Sequence, residues 1–322
     1  MNSSFFSAEA TSPSRPNGRL RTIALQRPPG TGPLMRLGLA TPVVIQIPGV
    51  ASSWEAAAGV DDLAQIAALA DRLGFTHLTC SEHVAVPAHA APGRGTTYWD
   101  PLATLAFLAG RTSQIRLVTS VVVLGYHHPL EIAKRYGTLD RLSGGRLILG
   151  VGVGSLREEF DLLGSAWDDR GARADDSLTA LRAALSQTRP VYHGSHYQFA
   201  DMVVEPCAVQ SRVPIWVGGH TRRSLRRAMQ LGDGWTPFGL SVATLTEYLG
   251  AVDLPEGFAV ALSTPPLDPI GSPQQTLDRL GRLVDLGATE VNASIAAHSA
   301  AHYQDQLRAL AELADPSYRE GR

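Results

Sequence analysis

The stretch Arg146-Leu147-Ile148-Leu149-Gly150-Val151-Gly152-Val153-Gly154 decides the fold of this chain, because it is typical of a strand that runs into a glycine loop. Leu147 to Leu149 form a short apolar run, the pattern of a strand buried on both faces. Three glycines follow at alternate positions, where glycine lets a backbone approach a ligand closely. A helix is predicted just after them, so the loop is suited to an anion or a flat cofactor, with a plain connecting turn as the alternative. The spacing is not the dinucleotide fingerprint Gly-x-Gly-x-x-Gly, so no Rossmann domain is predicted.

Strand and helix patterns alternate on both sides of this stretch. One helix, for example, has Leu63, Ile66 and Ala70 on a single face and ends before Gly74. The predicted strand regions are 36–40, 77–80, 115–124, 147–149, 214–217, 234–238, 258–263 and 290–295. Eight strand-then-helix units predict an α/β fold, a closed parallel (β/α)8 TIM barrel, whose active site lies at the C-terminal ends of the strands.

Length, charge and cysteine content exclude several classes of protein. The chain has 322 residues, 44% of them hydrophobic, which suffices for a large core, and barrels of this size are commonly single domains. A net charge of −2 gives no reason to expect nucleic acid or an anionic membrane as a partner. Cys80 and Cys207 have no metal-type spacing, so we expect no metal and a reducing, cytoplasmic compartment. The sequence contains no run of about 18 apolar residues, so no transmembrane helix is expected.

Both ends and one internal segment depart from the alternation. Residues 1–34 are rich in Ser, Pro, Arg and Gly without helical or strand period, so they are predicted to be a disordered extension. The barrel is expected to span 35–315, and 316–322 to form a C-terminal tail. Within the barrel, 190–213 is expected to be an insertion with a hairpin around Gly194-Ser195.

Several stretches, taken together, carry a resemblance to a known family. They are Ser81-Glu82-His83, Thr119-Ser120-Val121, 128–130 with 142–146, 150–154 and 214–219. With these motifs the chain resembles the bacterial luciferase-like superfamily over about residues 35–315, and most closely the branch that depends on the deazaflavin coenzyme F420. The resemblance implies a TIM barrel, an oxidoreductase activity and a homodimer.

The resemblance implies catalytic residues at the end of the second strand. Glu82 and His83 stand where the family has an acidic residue and a histidine that face the cofactor ring, and histidine suits proton transfer near neutral pH. We expect His83 to exchange the proton and Glu82 to orient its imidazole, although alternation along a strand turns the two side chains apart. A loop histidine held by a structural hydrogen bond is the alternative.

The resemblance also implies a cofactor site. Ser120 and Val121 stand where the family has a non-proline cis peptide behind the ring, with an ordinary buried strand as the alternative. The ribityl-type chain of the cofactor is expected along Gly152, Val153 and Gly154. Its phosphate is expected at a helix start, where a tight turn is the alternative, formed by Gly218, Gly219, His220 and Thr221.

Two larger groups of side chains have both a plain and a functional interpretation. The helix after 221 contains four arginines that form either a solvated face or a contact with the acidic tail of the cofactor, and Arg222 and Arg223, in its first turn, are better placed than Arg226 and Arg227. Arg170 and Arg173 are further candidates for the same contact. Side chains at strand ends and loops either wall a substrate pocket or simply pack, and they are Tyr98, Trp99, Tyr126, His127, Trp167, Trp235 and Phe238.

Three functions remain open from the sequence. The first is a coenzyme F420-dependent oxidoreductase that transfers a hydride between the deazaflavin and a small organic substrate. The second is a monooxygenase that uses FMNH2 and O2. The third is a barrel that binds a flavin-like ligand without turnover.

Overall fold

The structure is a computed structural model that describes residues 24–25 and 35–314, and within these residues eight parallel strands close a barrel. The strands are β1 Met35–Ala40, β2 His77–Cys80, β3 Arg116–Thr119, β4 Leu147–Gly152, β5 Ile215–Gly218, β6 Gly234–Thr236, β7 Ala259–Ser263 and β8 Glu290–Ala293. Each strand pairs with the next along the chain, and β8 pairs with β1 from Glu290 opposite Arg36 to Ala293 opposite Leu39, which closes the ring. The TIM barrel predicted from the sequence is confirmed.

Helices follow the strands and pack outside the barrel. They are α1 Val60–Leu73, α2 Pro101–Ala109, α3 Pro129–Ser143, α4 Arg170–Ala184, α5 Arg222–Leu231, α6 Val242–Gly250, α7 Pro273–Asp285 and α8 Ala300–Ala314, with short helices at Ala91–Arg94 and Arg157–Leu162. The start of α2 follows from its sequence, because the Asp100 side chain accepts a hydrogen bond from the Ala103 backbone N at 2.7 Å. Between residues 35 and 314, no helix combines the length and apolar character needed to cross a membrane.

Alternation along the strands divides the core into two layers. Leu117 and Leu149 belong to the large cluster that the strands form with the helices. Val118, Ile148 and Trp216 form a separate buried cluster with two alanines of β7. Because neighbouring strand residues point to opposite faces, this second cluster fills the inside of the barrel. This packing fills the barrel below its upper mouth, the end at which the strands terminate.

The third strand is interrupted, which corrects the continuous strand predicted for 115–124. β3 ends at Thr119, a cis peptide bond joins Ser120 to Val121, and Val122–Val123 form a separate short strand that pairs with β4. A β-branched run indicates a strand but not where it breaks. The break lies at the upper mouth of the barrel.

The structure describes only some of the segments that were predicted to depart from the alternation of strands and helices. The predicted hairpin is present, since Tyr192–His193 pairs antiparallel with Gln198–Phe199. In the predicted extension, Ala24–Leu25 instead form a short strand antiparallel to β1, while the rest of 1–34 and the tail 316–322 lie outside the described residues. The division of the chain into domains therefore stays a prediction.

Gly150 permits the closest approach between β3 and β4. A β-carbon added at Gly150 would lie 1.8 Å from the carbonyl oxygen of Thr119, and the Thr119 hydroxyl donates a hydrogen bond to the Gly150 carbonyl at 2.7 Å. The first of the three glycines is thus required by a neighbouring strand.

We predict that Gly150→Ala destabilises the protein by about 3 kcal/mol or more, because the added methyl group must displace backbone rather than a flexible side chain. The matched control is Gly281→Ala in α7, where a β-carbon meets no atom within 4 Å. Alanine there should stabilise the helix by up to about 1 kcal/mol. Urea unfolding of both variants measures the two changes, and equal stability of Gly150→Ala and the parent chain would contradict the close approach.

Candidate functional site

A cavity of about 850 Å³ opens at the C-terminal ends of the strands. Its walls come from the segments that follow β2, β3, β4, β5 and β6. All residues that were assigned to catalysis or to the ring, ribityl chain and phosphate of a cofactor line it, and these are Glu82, His83, Ser120, Val121, Gly152, Val153, Gly154, Gly218, Gly219, His220 and Thr221. The position agrees with the usual place of an active site in this fold.

The wall formed by Ser120 and Val121 contains the cis peptide bond that the resemblance implied, so that structural expectation is confirmed. The Ser120 backbone N donates to the Cys80 carbonyl at 2.7 Å, and the Ser81 hydroxyl donates to the Ser120 carbonyl. Both contacts fix the segment to the end of β2. The role of this wall in binding a cofactor stays a prediction.

Val121 projects into a space that two glycines leave open. A β-carbon at Gly152 would lie 2.7 Å from Cγ2 of Val121, and one at Gly218 would lie 3.0 Å from its Cγ1. A side chain at Gly154, with φ +81°, would come within 2.4 Å of the Phe160 ring. The glycines of the loop therefore leave space for the side chains of Val121 and Phe160, and they also keep the cavity wall flat.

His83 is held by a carboxylate that the sequence did not reveal. Its Nδ1 lies 2.7 Å from Oε2 of Glu159, a residue of the short helix Arg157–Leu162 that is 1% exposed. The Tyr126 hydroxyl donates to the same oxygen at 2.8 Å, and the backbone N of Val84 donates to the other oxygen at 2.8 Å. Glu159 is thus fixed by several donors besides the histidine.

The electrostatics of Glu159 set the tautomer of His83. Burial raises the pKa of Glu159, but the hydrogen bonds from His83 and Tyr126 outweigh it, and the net pKa lies below its ordinary value. An ionised carboxylate only accepts hydrogen bonds, so Nδ1 of His83 carries the hydrogen that lies between them. Nε2 has no partner among the described residues and remains able to exchange a proton with a ligand.

Glu82 does not orient His83, so that prediction is wrong. Its Oε2 accepts from the Val123 backbone N at 2.7 Å, and its Oε1 lies 2.8 Å from Nε2 of His127. Adjacent strand residues point apart, which separates Glu82 from its neighbour. Glu82 instead anchors the chain just after the cis peptide.

The segment between β5 and α5 forms a helix start that faces the cavity. The Thr221 side chain accepts from the Ser224 backbone N at 3.1 Å, while the Thr221 backbone N donates to the Ser224 hydroxyl at 3.2 Å. Gly219 has φ +135°, and a β-carbon there would lie 2.7 Å from Cβ of Ser224. Substitution of Gly219 would therefore disturb the fold as well as any bound anion.

The arginines near this helix start have different surroundings. Arg223 lines the cavity and has no hydrogen bond or ion pair with the described residues. Arg227 also lines it, but its guanidinium pairs with Asp175. Arg222, which was expected to be well placed, pairs with Glu247 instead. Arg170 stacks on Trp167 at 3.6 Å and leaves its buried Nε without a partner.

The aromatic candidates divide into two groups. Tyr98, Tyr126, Trp167 and Phe238 line the cavity. Trp99, His127 and Trp235 are not among the lining residues, and the fully buried Trp235 donates its Nε1 hydrogen to Ser224 at 3.2 Å. Position at a strand end alone does not separate the two groups.

Sequence reasoning missed Glu159 and Arg94, which also lines the cavity. Glu159 lies between the exposed Glu158 and the buried Phe160, so a helical pattern that turns Phe160 inward was the available signal for its position. Arg94 lies in the polar loop after β2, which has no periodicity to indicate its direction.

Comparison with known proteins matches this chain to one family. The sequence model of the luciferase-like monooxygenase family matches residues 35–253. The uncharacterized protein Rv0953c of Mycobacterium tuberculosis is 31% identical over 271 residues, which cover 76% of this chain and 92% of that protein.

Two solved structures share the fold. The coenzyme F420-dependent tetrahydromethanopterin reductase from Methanopyrus kandleri has a TM-score of 0.64 at 15% identity, covering 81% of this chain and 96% of its own. The oxygenating constituent of 3,6-diketocamphane monooxygenase from Pseudomonas putida, solved with FMN, has a TM-score of 0.62 at 15% identity, covering 88% of this chain and 98% of its own. The fold is therefore found with either kind of cofactor.

We predict that the pair formed by His127 and Glu82 makes stability depend on pH. Burial lowers the pKa of His127, but Glu82 and Glu131 outweigh it, so the pKa lies above its usual 6.5. The resulting stabilisation is present below the unfolded pKa and is lost as pH rises through the raised folded pKa. The loss of unfolding free energy in His127→Gln should therefore be larger near pH ~6 than near pH ~9. Urea unfolding at both values measures it, with His89→Gln, whose side chain is 74% exposed, as the control. A loss that does not change with pH would contradict the assignment.

Proposed function

We infer the function of this chain from its family: it belongs to the luciferase-like monooxygenase family, on a match that spans residues 35–253. We propose that it is an oxidoreductase that binds coenzyme F420 in the cavity and transfers a hydride between the deazaflavin and a small organic substrate. The observation that carries the proposal is one cavity with a histidine whose Nε2 is free and, on another wall, a helix start beside an arginine without a partner.

The residues of the cavity fit a flavin-like group. Val121, with glycines on both sides, offers an apolar surface for a flat ring. The N-terminal turn of α5, with Thr221 as its cap, offers backbone N–H groups and the positive end of a helix to a phosphate. When bound, the cofactor would supply the hydride donor or acceptor, and the protein would supply binding, orientation and proton transfer.

His83 would exchange the proton that accompanies the hydride. In one direction the substrate loses a hydride from carbon and a proton from its heteroatom, and in the other it gains both. Nε2 of His83 takes or gives that proton, while Glu159 stabilises the imidazolium and keeps the imidazole in one orientation. Tyr126 holds the carboxylate from its other side, so the pair does not rotate away.

Unpaired positive charge favours F420 over FMN. Both cofactors carry a phosphate that the start of α5 would bind, but F420 also carries an acidic tail. Arg223, which lines the cavity without a partner among the described residues, provides donors that one phosphate does not use up. The FMNH2-dependent monooxygenase remains the second candidate, because the same helix start suits its phosphate.

We predict that the full chain binds F420 more tightly than FMN, and that Arg223→Gln weakens F420 binding by about three- to tenfold. The matched control is Arg226→Gln, one turn further along α5, exposed and not among the cavity residues. Fluorescence titration with both cofactors, oxidised and reduced, measures the affinities. Tighter binding of reduced FMN than of F420 would replace the proposal by the monooxygenase, and binding of neither would refute both.

We predict that His83→Ala lowers turnover by roughly 10²–10⁴-fold and changes cofactor affinity much less, because it removes the proton-transfer group. Asparagine at the same place keeps a hydrogen-bonding side chain but should not restore turnover. The assay uses a substrate found by screening alcohols and carbonyl compounds with the cofactor-loaded protein.

His89→Ala is the control, because this neighbouring histidine has a side chain that is 74% exposed. It should leave turnover unchanged. Normal turnover of His83→Ala would refute the role, and a selective loss of cofactor binding would make His83 a binding residue.

A further inference from the structure

Arg94 is held at the cavity wall by the backbone around it. It ends the short helix Ala91–Arg94, and its carbonyl accepts a hydrogen bond from the Tyr98 hydroxyl at 2.7 Å. The next residue, Gly95, has φ +75°, and a β-carbon there would lie 2.0 Å from the Gln46 carbonyl oxygen. The Gln46 backbone N donates to the Thr97 carbonyl at 3.1 Å. These contacts fasten the loop to the segment that follows β1, so Arg94 is half-buried on a fixed support.

The guanidinium of Arg94 has unused hydrogen-bonding capacity. Its one hydrogen bond with the described residues is that of 3.4 Å to the Ser155 hydroxyl, and it forms no ion pair with their carboxylates within 4.0 Å. An arginine offers five N–H donors in a planar fork that matches a carboxylate. A cavity-lining cation with this geometry and no counter-ion is suited to an anionic ligand.

Arg94 acts on the same end of the cavity as His83. The rings of His83 and Tyr98 meet edge to face at 4.5 Å between centroids. Burial raises the pKa of Tyr98 and of Tyr126, and the positive charge of Arg94 opposes the rise at both hydroxyls. Arg94, Tyr98, Tyr126 and His83 all line the cavity, so the guanidinium and the imidazole border one space.

The neighbouring phenols do not compete for an anion. The Tyr98 hydroxyl donates its hydrogen bond to the Arg94 carbonyl, and the Tyr126 hydroxyl donates to Glu159, so neither hydrogen is available to a ligand. Both rings then offer apolar edges, while Arg94 supplies the charged donors. An occupant with a carboxylate at one end and an apolar body fits this combination.

We propose that the substrate carries a carboxylate that pairs with the guanidinium of Arg94, so that Arg94 determines specificity for small organic acids. The identification of this ligand as the substrate rests on the proposed function. A second source of a carboxylate is the acidic tail of the cofactor. Arg223 already provides donors on the wall that begins with Gly218, whereas Arg94 lies beside His83 on the loop after β2.

The test measures binding of simple acids to the full chain, with and without F420. Ligand-detected NMR would compare benzoate and phenylacetate with benzamide and phenylacetamide, which have the same shape without the charge. We expect the acids to bind at least about tenfold more tightly than the amides, and Arg94→Gln to abolish that preference. Arg94→Lys should keep part of it, because it retains charge but loses the fork. Arg226→Gln is the control and should bind like the parent chain.

The outcomes separate the two sources and the two proposals. A preference for acids that depends on Arg94 and persists in the F420-loaded protein supports a substrate carboxylate. The same preference in a chain that fails to bind F420 supports the acid site while refuting the proposed function. If F420 displaces benzoate and Arg94→Gln weakens F420 binding, the carboxylate is that of the cofactor and the proposal is overturned. Equal binding of acids and amides also overturns it.

Discussion

The close approach of residues 119–121 to the two following strands is the constraint on which the cavity depends. The Thr119 carbonyl occupies the space that a side chain at Gly150 would need, and Val121 occupies the space beside Gly152 and Gly218. These contacts require glycine on β4 and β5 at the level where the barrel opens. Just after the cis peptide, the Val123 backbone N donates a hydrogen bond to the Glu82 carboxylate. One packing arrangement therefore forms the cavity wall at Ser120 and Val121 and fastens it to the end of β2.

Periodicity predicted the barrel because each strand-helix unit is a local pattern. The break at Ser120-Val121 came only from the resemblance to a family, because its β-branched residues form a regular run. The glycines show the same limit. They were interpreted as room for a ligand, and Gly150 and Gly154 turn out to make room for the Thr119 carbonyl and the Phe160 ring. Thr119 lies 31 residues before Gly150, and Phe160, although only six residues after Gly154, belongs to the next helix, so the glycine pattern itself did not reveal either neighbour.

At the candidate site, the sequence indicated where residues lie but not which residues they contact. The resemblance correctly brought Glu82 and His83 to the cavity, because both follow directly from the end of a strand. It did not predict their partners. His83 meets a carboxylate 76 residues away, and Glu82 meets a histidine 45 residues away. The alternation of side chains along a strand already opposed a contact between Glu82 and His83, and in the structure the two side chains have separate partners although they are adjacent in sequence.

The two carboxylate–imidazole pairs differ in whether a ring nitrogen of the histidine is left without a protein partner. This difference distinguishes a structural pair from one that is able to react with a ligand. His127 faces Glu82 through Nε2, while its Nδ1 lies 3.6 Å from Glu131, so both ring nitrogens face a carboxylate. A hydrogen on either ring nitrogen of His127 therefore points to a carboxylate of the protein. His83 commits only Nδ1, to a carboxylate that Tyr126 and two backbone N–H groups already hold in place. Because Glu159 does not depend on His83 for its position, the imidazole is able to change protonation without losing its support. A ligand in the cavity consequently meets one histidine with an available nitrogen, and the second histidine serves the wall behind it.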